Sequence, residues 1–219
     1  MKVTTDSCLF GAWVAAQIND LSSGTNILDI GSGSGLLSIM LAQQTHAMID
    51  GIELQGPDYQ QSVENISRSA FNNQIKVFNA DALHFEYAKQ YDIIVSNPPF
   101  YENDLKSAAT NKNIAHHDAG LYLHELLSLI KRLLQPAGQF FLLLPAKRKE
   151  KAEKLVKGQG LFINNIVSVK QTENHPPFRI MIAGSQNAFR AEQEPIIIKE
   201  QNKYSHTFNT LLRDYYLQL

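Results

Sequence analysis

The sequence predicts an α/β fold built on a seven-stranded, mostly parallel sheet with helices on both faces. Three observations carry this. From residue 26 onward, short β-rich runs alternate with longer helical stretches, the pattern of repeated βαβ units. The run "QFFLLLP" (139–145) is apolar without alternation, as a parallel strand buried on both faces requires. A glycine-rich turn, "DIGSGSG" (29–35), lies where the first strand gives way to a helix.

With 219 residues and 44% apolar content, the chain is long enough for one substantial core. One domain is expected, with an N-terminal helical segment over 1–24, a ligand-binding core over 25–145, and C-terminal strands over 146–219. In the first segment, "CLFGAWVAAQ" (8–17) reads as a buried helix. Asp6 and the lack of a basic leader argue against an export signal, and Trp13 is expected to pack inside. Strands are expected at Asn26–Ile30, Met48–Glu53, Ile75–Asn79, Tyr91–Ser96, Gln139–Leu144, Ile163–Lys170 and Arg179–Ala183. Between them, Gly35–Gln44, Pro57–Asn72 and Leu121–Leu134 carry helical periodicity. In the last of these, Leu123, Leu126, Leu127, Ile130 and Leu134 share one face, and Pro136-Ala137-Gly138 is expected to end the helix.

Charge is unevenly placed. Residues 1–100 hold four Lys/Arg against ten Asp/Glu, and residues 101–219 hold sixteen against eleven, although the whole chain has a net charge of -1. That balance excludes a protein that coats nucleic acid indiscriminately, but leaves room for a local basic surface. The densest cationic stretch, "PAKRKEKAEKLVKGQG" (145–160), has six basic and two acidic residues and follows the carboxyl end of a strand. It is either a solvated helix face or a phosphate-contacting surface, with Lys147, Arg148, Lys149 and Lys151 the candidates. No run approaches the about 18 apolar residues that span a bilayer, so no membrane association is expected. The single cysteine, Cys8, rules out an internal disulfide and fits a buried apolar position in a reducing, cytoplasmic setting. His116 and His117 are adjacent, so they would seldom face one ion, and no metal site is expected. A monomer is the expected state.

The glycine loop separates two ligand classes. Dinucleotide sites space their glycines G-x-G-x-x-G beside a pyrophosphate. Here Asp29, Gly31, Gly33 and Gly35 form D-x-G-x-G-x-G, and Glu53 closes the next strand 22 residues after Gly31. This loop resembles the first motif of the Rossmann-like class I S-adenosylmethionine-dependent methyltransferases. The acid suits a ligand with a cationic amino group and no phosphates. The resemblance implies S-adenosylmethionine as cofactor, Glu53 as acceptor for both ribose hydroxyls, and Asp81 in "NADAL" as partner of the adenine amine.

The fourth strand runs into "SNPPF", where two prolines must stop it. Each proline fixes φ and lacks an N–H, and each pushes its predecessor toward extended geometry, so Asn97-Pro98-Pro99-Phe100 is stiff. An amide oxygen from Asn97 and the backbone oxygen of Pro98 can accept both hydrogens of a planar NH₂ group. That favours the more tetrahedral nitrogen of a methyl-transfer transition state and aims its lone pair. Phe100 offers a face for a planar target, and neutral Asn97 is not a strong base. Beside the glycine loop, this tetrapeptide resembles the amino-methyltransferases acting on adenine N6 or on glutamine amides.

Two further stretches narrow the resemblance. "MKVTTDSCLFGAW" (1–13) is similar to the M-K-V-x-T-D-x-x-L-x-G-A-W opening of the bacterial tRNA1(Val) adenine-37 N6-methyltransferases, and "YSHTFNTLLRDYYLQL" (204–219) to their closing segment. This implies methylation of N6 of the adenine next to the anticodon of a valine tRNA, with the base leaving its stack to reach Asn97. It also implies that Thr5 and Asp6 contact the methionine part of the cofactor, and that Asn97 borders that cofactor. The family carries residues ahead of this opening, so an upstream segment is expected to be lacking. An Arg often stands where this chain has His116. Methylation of rRNA, DNA or a protein glutamine, and a silent cofactor- or RNA-binding module, remain the alternatives.

Overall fold

A computed structural model describes residues 4–18, 21–98, 122–189, 191 and 193–216. Pro99, Phe100, His116 and His117 lie outside the described residues.

The chain opens with α1 (Thr5–Gln17), capped by Thr4, and every residue from Cys8 to Ala15 is buried. Such a helix is apolar all round, so it must be enclosed by other elements. Trp13 meets Phe141 edge-on at 5.7 Å and Phe10 at 6.2 Å, while its indole N–H donates to Gln193 Oε1 at 2.8 Å. It is therefore a packing residue.

Four parallel strands follow: β1 (Asn26–Ile30), β2 (Met48–Glu53), β3 (Ile75–Asn79) and β4 (Tyr91–Ser96). Helices α2 (Leu36–Ala42) and α3 (Gly56–Ser67) connect the first three. After α4 (Leu123–Leu133) come β5 (Leu134–Pro145), α5 (Lys149–Gly158), β6 (Phe162–Lys170) and β7 (Arg179–Ser185). A two-residue strand, β8 (Ile196–Ile197), a small ribbon of β9 (Lys199–Glu200) and β10 (Lys203–Tyr204), and α6 (His206–Leu212) complete the described elements.

The main sheet has the order β3-β2-β1-β4-β5-β7-β6-β8, with β7 antiparallel to both β5 and β6. It has eight strands where seven are expected from sequence. The extra one, β8, has only two residues and pairs only with Val169 and Lys170, too short to leave a periodic signal. One buried cluster joins α1, α2 and α6 to one face of the sheet, and a second joins α4 and α5 to the other. The order reverses between β1 and β4, which opens a crevice at their carboxyl ends, where such sheets hold ligands.

Pro136-Ala137-Gly138 does not end α4. The helix stops at Leu133, and the three residues bulge from β5 between the pairs Leu134↔Tyr91 and Gln139↔Ile93. A bulge is where a strand tolerates proline, which has no N–H to give to the ladder. The helix expected to Asn72 ends at Ser67, because the hydroxyls of Ser67 and Ser69 turn back to the carbonyls of Glu64 and Ile66. Among the described residues, no helix is long and apolar enough to cross a membrane.

Candidate active site

The loop after β1 holds Gly31, Gly33 and Gly35 at φ 74°, 55° and 78°. A side chain at any of them would be strained, and a Cβ on Gly31 would meet nothing within 4 Å, so open space lies against the backbone there. Gly35 instead faces α3, where a Cβ would sit 3.3 Å from Ile66 and Ser62. The left-handed Gly35 is also the N-cap, so α2 begins at Leu36 rather than Gly35.

Glu53, buried at the end of β2, holds this loop closed. Its Oε2 accepts the Gly33 N–H and its Oε1 the Gln55 N–H, both at 2.8 Å. The end of β3 is pinned alongside, since Ala80 N–H and Asn79 Nδ2 both donate to the Glu53 carbonyl. Asp81 thereby stands next to Glu53. Its Oδ1 accepts from Leu83 N–H at 2.9 Å and its Oδ2 lies 2.8 Å from His84 Nδ1, the bonding of a turn-forming aspartate.

Asp29 is 1% exposed and lies below the loop. Ser38 Oγ donates to its Oδ2 at 2.7 Å, whereas Oδ1 has no hydrogen-bond partner. Burial pushes its carboxyl up from the ordinary 3.8 to about 7; the Ser38 bond opposes this and the Glu53 charge adds to it. A carboxyl raised on folding keeps its proton in the folded state over a range where the unfolded chain has lost it. Its stabilising contribution is complete below about pH 4 and is lost as pH rises through about 7. Asp29→Asn is therefore expected to be more stable than the parent at pH 8, by roughly 2–4 kcal/mol, with the gap closing toward pH 4. Urea denaturation at pH 5 and pH 8 reads this directly.

On the other side of the crevice, Ser96 Oγ donates to the Ile30 carbonyl at 2.7 Å and locks the end of β4 to β1. Half-buried Asn97 and buried Pro98 follow. Asn97 Nδ2 donates to Ser7 Oγ at 2.9 Å, which brings the first turn of α1 to the crevice. Asp6 Oδ2 accepts from Arg179 Nε at 2.8 Å, and Thr5 is exposed at the first position of α1. The structure thus gathers Asp29, the three glycines, Glu53, Asp81, Asp6 and Asn97 along one edge of the sheet. Ser7 and Arg179 join them without a signal in the sequence, because their partners are 90 and 173 residues away.

At the same edge, Lys147 and Arg148 lie in a 3-10 turn (Ala146–Arg148) directly after β5, and Lys149 and Lys151 on the first turn of α5. The three lysines are exposed and Arg148 is half-buried. Ala152 and Val156 hold α5 to the core, so the charged face is turned outward. Among the described residues, no group of three His, Cys, Asp or Glu is placed to hold a metal.

A family model described as the methyltransferase small domain matches residues 12–175. The tRNA1(Val) (adenine(37)-N6)-methyltransferase of Dyadobacter fermentans is 36% identical over 224 residues, covering 100% of this chain and 91% of that protein. The chain belongs to the tRNA1(Val) (adenine(37)-N6)-methyltransferase family. A second family member, from Pectobacterium carotovorum, is 36% identical over 99% of this chain and 88% of its own length. Among solved structures, a predicted O-methyltransferase from Agrobacterium tumefaciens superposes with a TM-score of 0.72 at 15% identity, covering 95% of each chain. A putative RNA methyltransferase from Pyrococcus horikoshii gives 0.59 at 18% identity, over 81% of this methyltransferase and 82% of its own chain. At those identities the two structures share its fold.

Proposed function

We propose that the protein transfers a methyl group from S-adenosylmethionine to N6 of adenine 37 in tRNA1(Val). The observation that carries this reading is the full-length match to relatives of that name, on a chain whose crevice joins a glycine loop to an amide acceptor.

The residues present fit the cofactor. Gly31 leaves open space against the loop, Glu53 is held in place by two backbone N–H groups, and Asp29 Oδ1 is a buried acceptor without a partner. Glu53 would take the ribose hydroxyls on its remaining lone pairs, Asp81 the adenine amine, and Asp29 would supply negative charge for the ammonium group. Asp6 would border the methionine part with Thr5. When bound, S-adenosylmethionine supplies an electrophilic methyl group on a sulfonium and is left as a neutral thioether.

The protein's part in the transfer is orientation. Asn97 Oδ1 and the Pro98 carbonyl accept the two N–H bonds of the target amine and turn its lone pair away from the ring system, toward the methyl group. Pro99 and Phe100 lie outside the described residues; by the family resemblance, Pro99 would stiffen the segment through its fixed φ and Phe100 would stack the extruded adenine. With the cofactor bound, the C–N bond to the target amine would form as the sulfonium's C–S bond breaks, so the methyl group would change partners without a covalent intermediate on the protein. The nitrogen then carries a positive charge and gives its proton to water, so no strong base is required.

The basic turn and helix would hold the tRNA backbone. Reversing Lys147, Lys149 and Lys151 to Glu is expected to weaken tRNA binding and reduce the slope of log K against log[salt] by about two, leaving cofactor affinity unchanged. Filter binding between 50 and 200 mM salt checks it, and an unaltered slope would remove this surface from the interface. A tRNA substrate and a lone buried cysteine are consistent with a cytoplasmic protein. The substrate class is tested by offering labelled S-adenosylmethionine with, in parallel, tRNA, rRNA, DNA and release factor. Label is expected in tRNA, and label confined to any other pool would refute the reading.

A further inference from the structure

We infer that Ser7 is a positioning residue for the reaction, holding the Asn97 carboxamide so that its oxygen faces the target amine. The inference rests on the function proposed above and adds a residue that acts through Asn97.

Asn97 can serve as an acceptor only if its NH₂ end is turned away from the amine. A carboxamide is close to symmetric in shape, so packing alone does not choose between its two orientations, and the hydrogen bonds at either end must decide. Here Nδ2 donates to Ser7 Oγ at 2.9 Å, and Ser7 Oγ lies 2.8 Å from Thr4 Oγ1. With the Asn97 N–H filling one lone pair of Ser7 Oγ, the Ser7–Thr4 hydroxyl pair is satisfied with either oxygen as donor. The chain Asn97, Ser7, Thr4 is then consistent from end to end, and Oδ1 is the end of the carboxamide left for substrate.

Ser7 is not needed to start the helix. Thr4 is the N-cap of α1, and its Oγ1 accepts the Ser7 N–H at 3.4 Å. Serine within a helix is less favourable than alanine, so helix formation gives no reason for a hydroxyl at this position. Nor does the contact depend on a loosely held segment. One residue away, Asp6 is tied to Arg179 at the start of β7 by an ion pair of 2.8 Å, and Cys8, Leu9 and Phe10 are buried. The first turn of α1 is thus fixed from the β7 side and from the core, and it presents the Ser7 hydroxyl to the end of β4.

Two readouts test this, one independent of turnover. In ¹H–¹⁵N spectra, the Asn97 side-chain NH₂ pair is identified by its loss in Asn97→Asp. It is expected to be shifted and slow to exchange in the parent protein, and to move to ordinary solvent-exposed behaviour in Ser7→Ala. In single-turnover assays with tRNA, Ser7→Ala is expected to lower the methyl-transfer rate about fivefold to tenfold, with cofactor affinity and thermal midpoint unchanged. Ser7→Thr, which restores a hydroxyl, should recover most of the loss. Parent-like turnover and unchanged NH₂ signals in Ser7→Ala would overturn the positioning role while leaving the proposed function standing. Equal losses in Ser7→Ala and Ser7→Thr, with weakened cofactor binding, would reassign Ser7 to the fold. Absence of any methylation by the parent protein would take down the functional reading, and this one with it.

Discussion

Replacing Asn97 with alanine is expected to lower kcat by roughly 10²–10³ while S-adenosylmethionine still binds within a fewfold of the parent affinity. The magnitude is that of removing one preorganised polar group aimed at the reacting centre. The split between kcat and binding follows from position. Asn97 stands at the end of β4, across the crevice from Glu53 and Asp81, which would carry the adenosine half of the cofactor. The alanine variant should also fold, because Ser96 Oγ, rather than Asn97, ties β4 to the Ile30 carbonyl. Its thermal midpoint should stay close to that of the parent. A variant that bound cofactor normally and kept more than a tenth of the parental kcat would sink the amide-acceptor mechanism.

Substituting Glu53 with glutamine has the opposite signature. Both of its carboxylate oxygens accept backbone N–H groups, from Gly33 and Gln55, so the glutamine NH₂ must confront one of those donors. The glycine loop loses an anchor, and the ribose loses a charged acceptor. Two charge-assisted bonds of about 1.5–3 kcal/mol each are put at risk. The expected outcome is a weakening of S-adenosylmethionine binding by about a hundredfold, read by calorimetry, with the chemical step at saturating cofactor changed far less. A dissociation constant within threefold of the parent would show that Glu53 is only a structural brace for the loop.

The contrast between these variants reflects how the chain divides its work. Residues on the β1 and β2 side are fixed by backbone bonds within the loop, and Asn97 on the β4 side is oriented by a helix that begins the described chain. Weak cofactor binding with intact chemistry belongs to the first group. Intact binding with slow chemistry belongs to the second.

Much of this organisation is legible in the sequence, for identifiable reasons. The spans of β1 to β4 are as expected because each is a short apolar run closed by a turn-forming or glycine-rich stretch. Asp29, the three glycines, Glu53 and Asn97 stand together at one edge of the sheet because their spacing along the chain is set by those same strand ends. Where the reading departs from the structure, the cause is a competing local interaction or a distant partner. Pro136-Ala137-Gly138 has the composition of a helix stop and serves as a bulge inside β5. Leu36, not Gly35, starts α2 because the glycine is held left-handed as its cap. Ile196-Ile197 is too short for periodicity to reveal as a strand. Ser7 and Arg179 look like ordinary surface-forming residues until the fold places them against Asn97 and Asp6. No local pattern encodes a contact made 90 residues away.

The central claim is that this crevice methylates the exocyclic amine of one adenine in one tRNA. It is tested most directly by incubating the purified protein with S-adenosylmethionine and unmodified tRNA1(Val), then digesting the RNA and mapping the fragments by mass spectrometry. The account predicts a single added methyl, recovered as N6-methyladenosine at position 37 and absent when Asn97→Ala replaces the parent. A methyl group at another nucleotide or on another atom of adenine, or tRNA1(Val) left unmethylated by cofactor-bound protein, would contradict it.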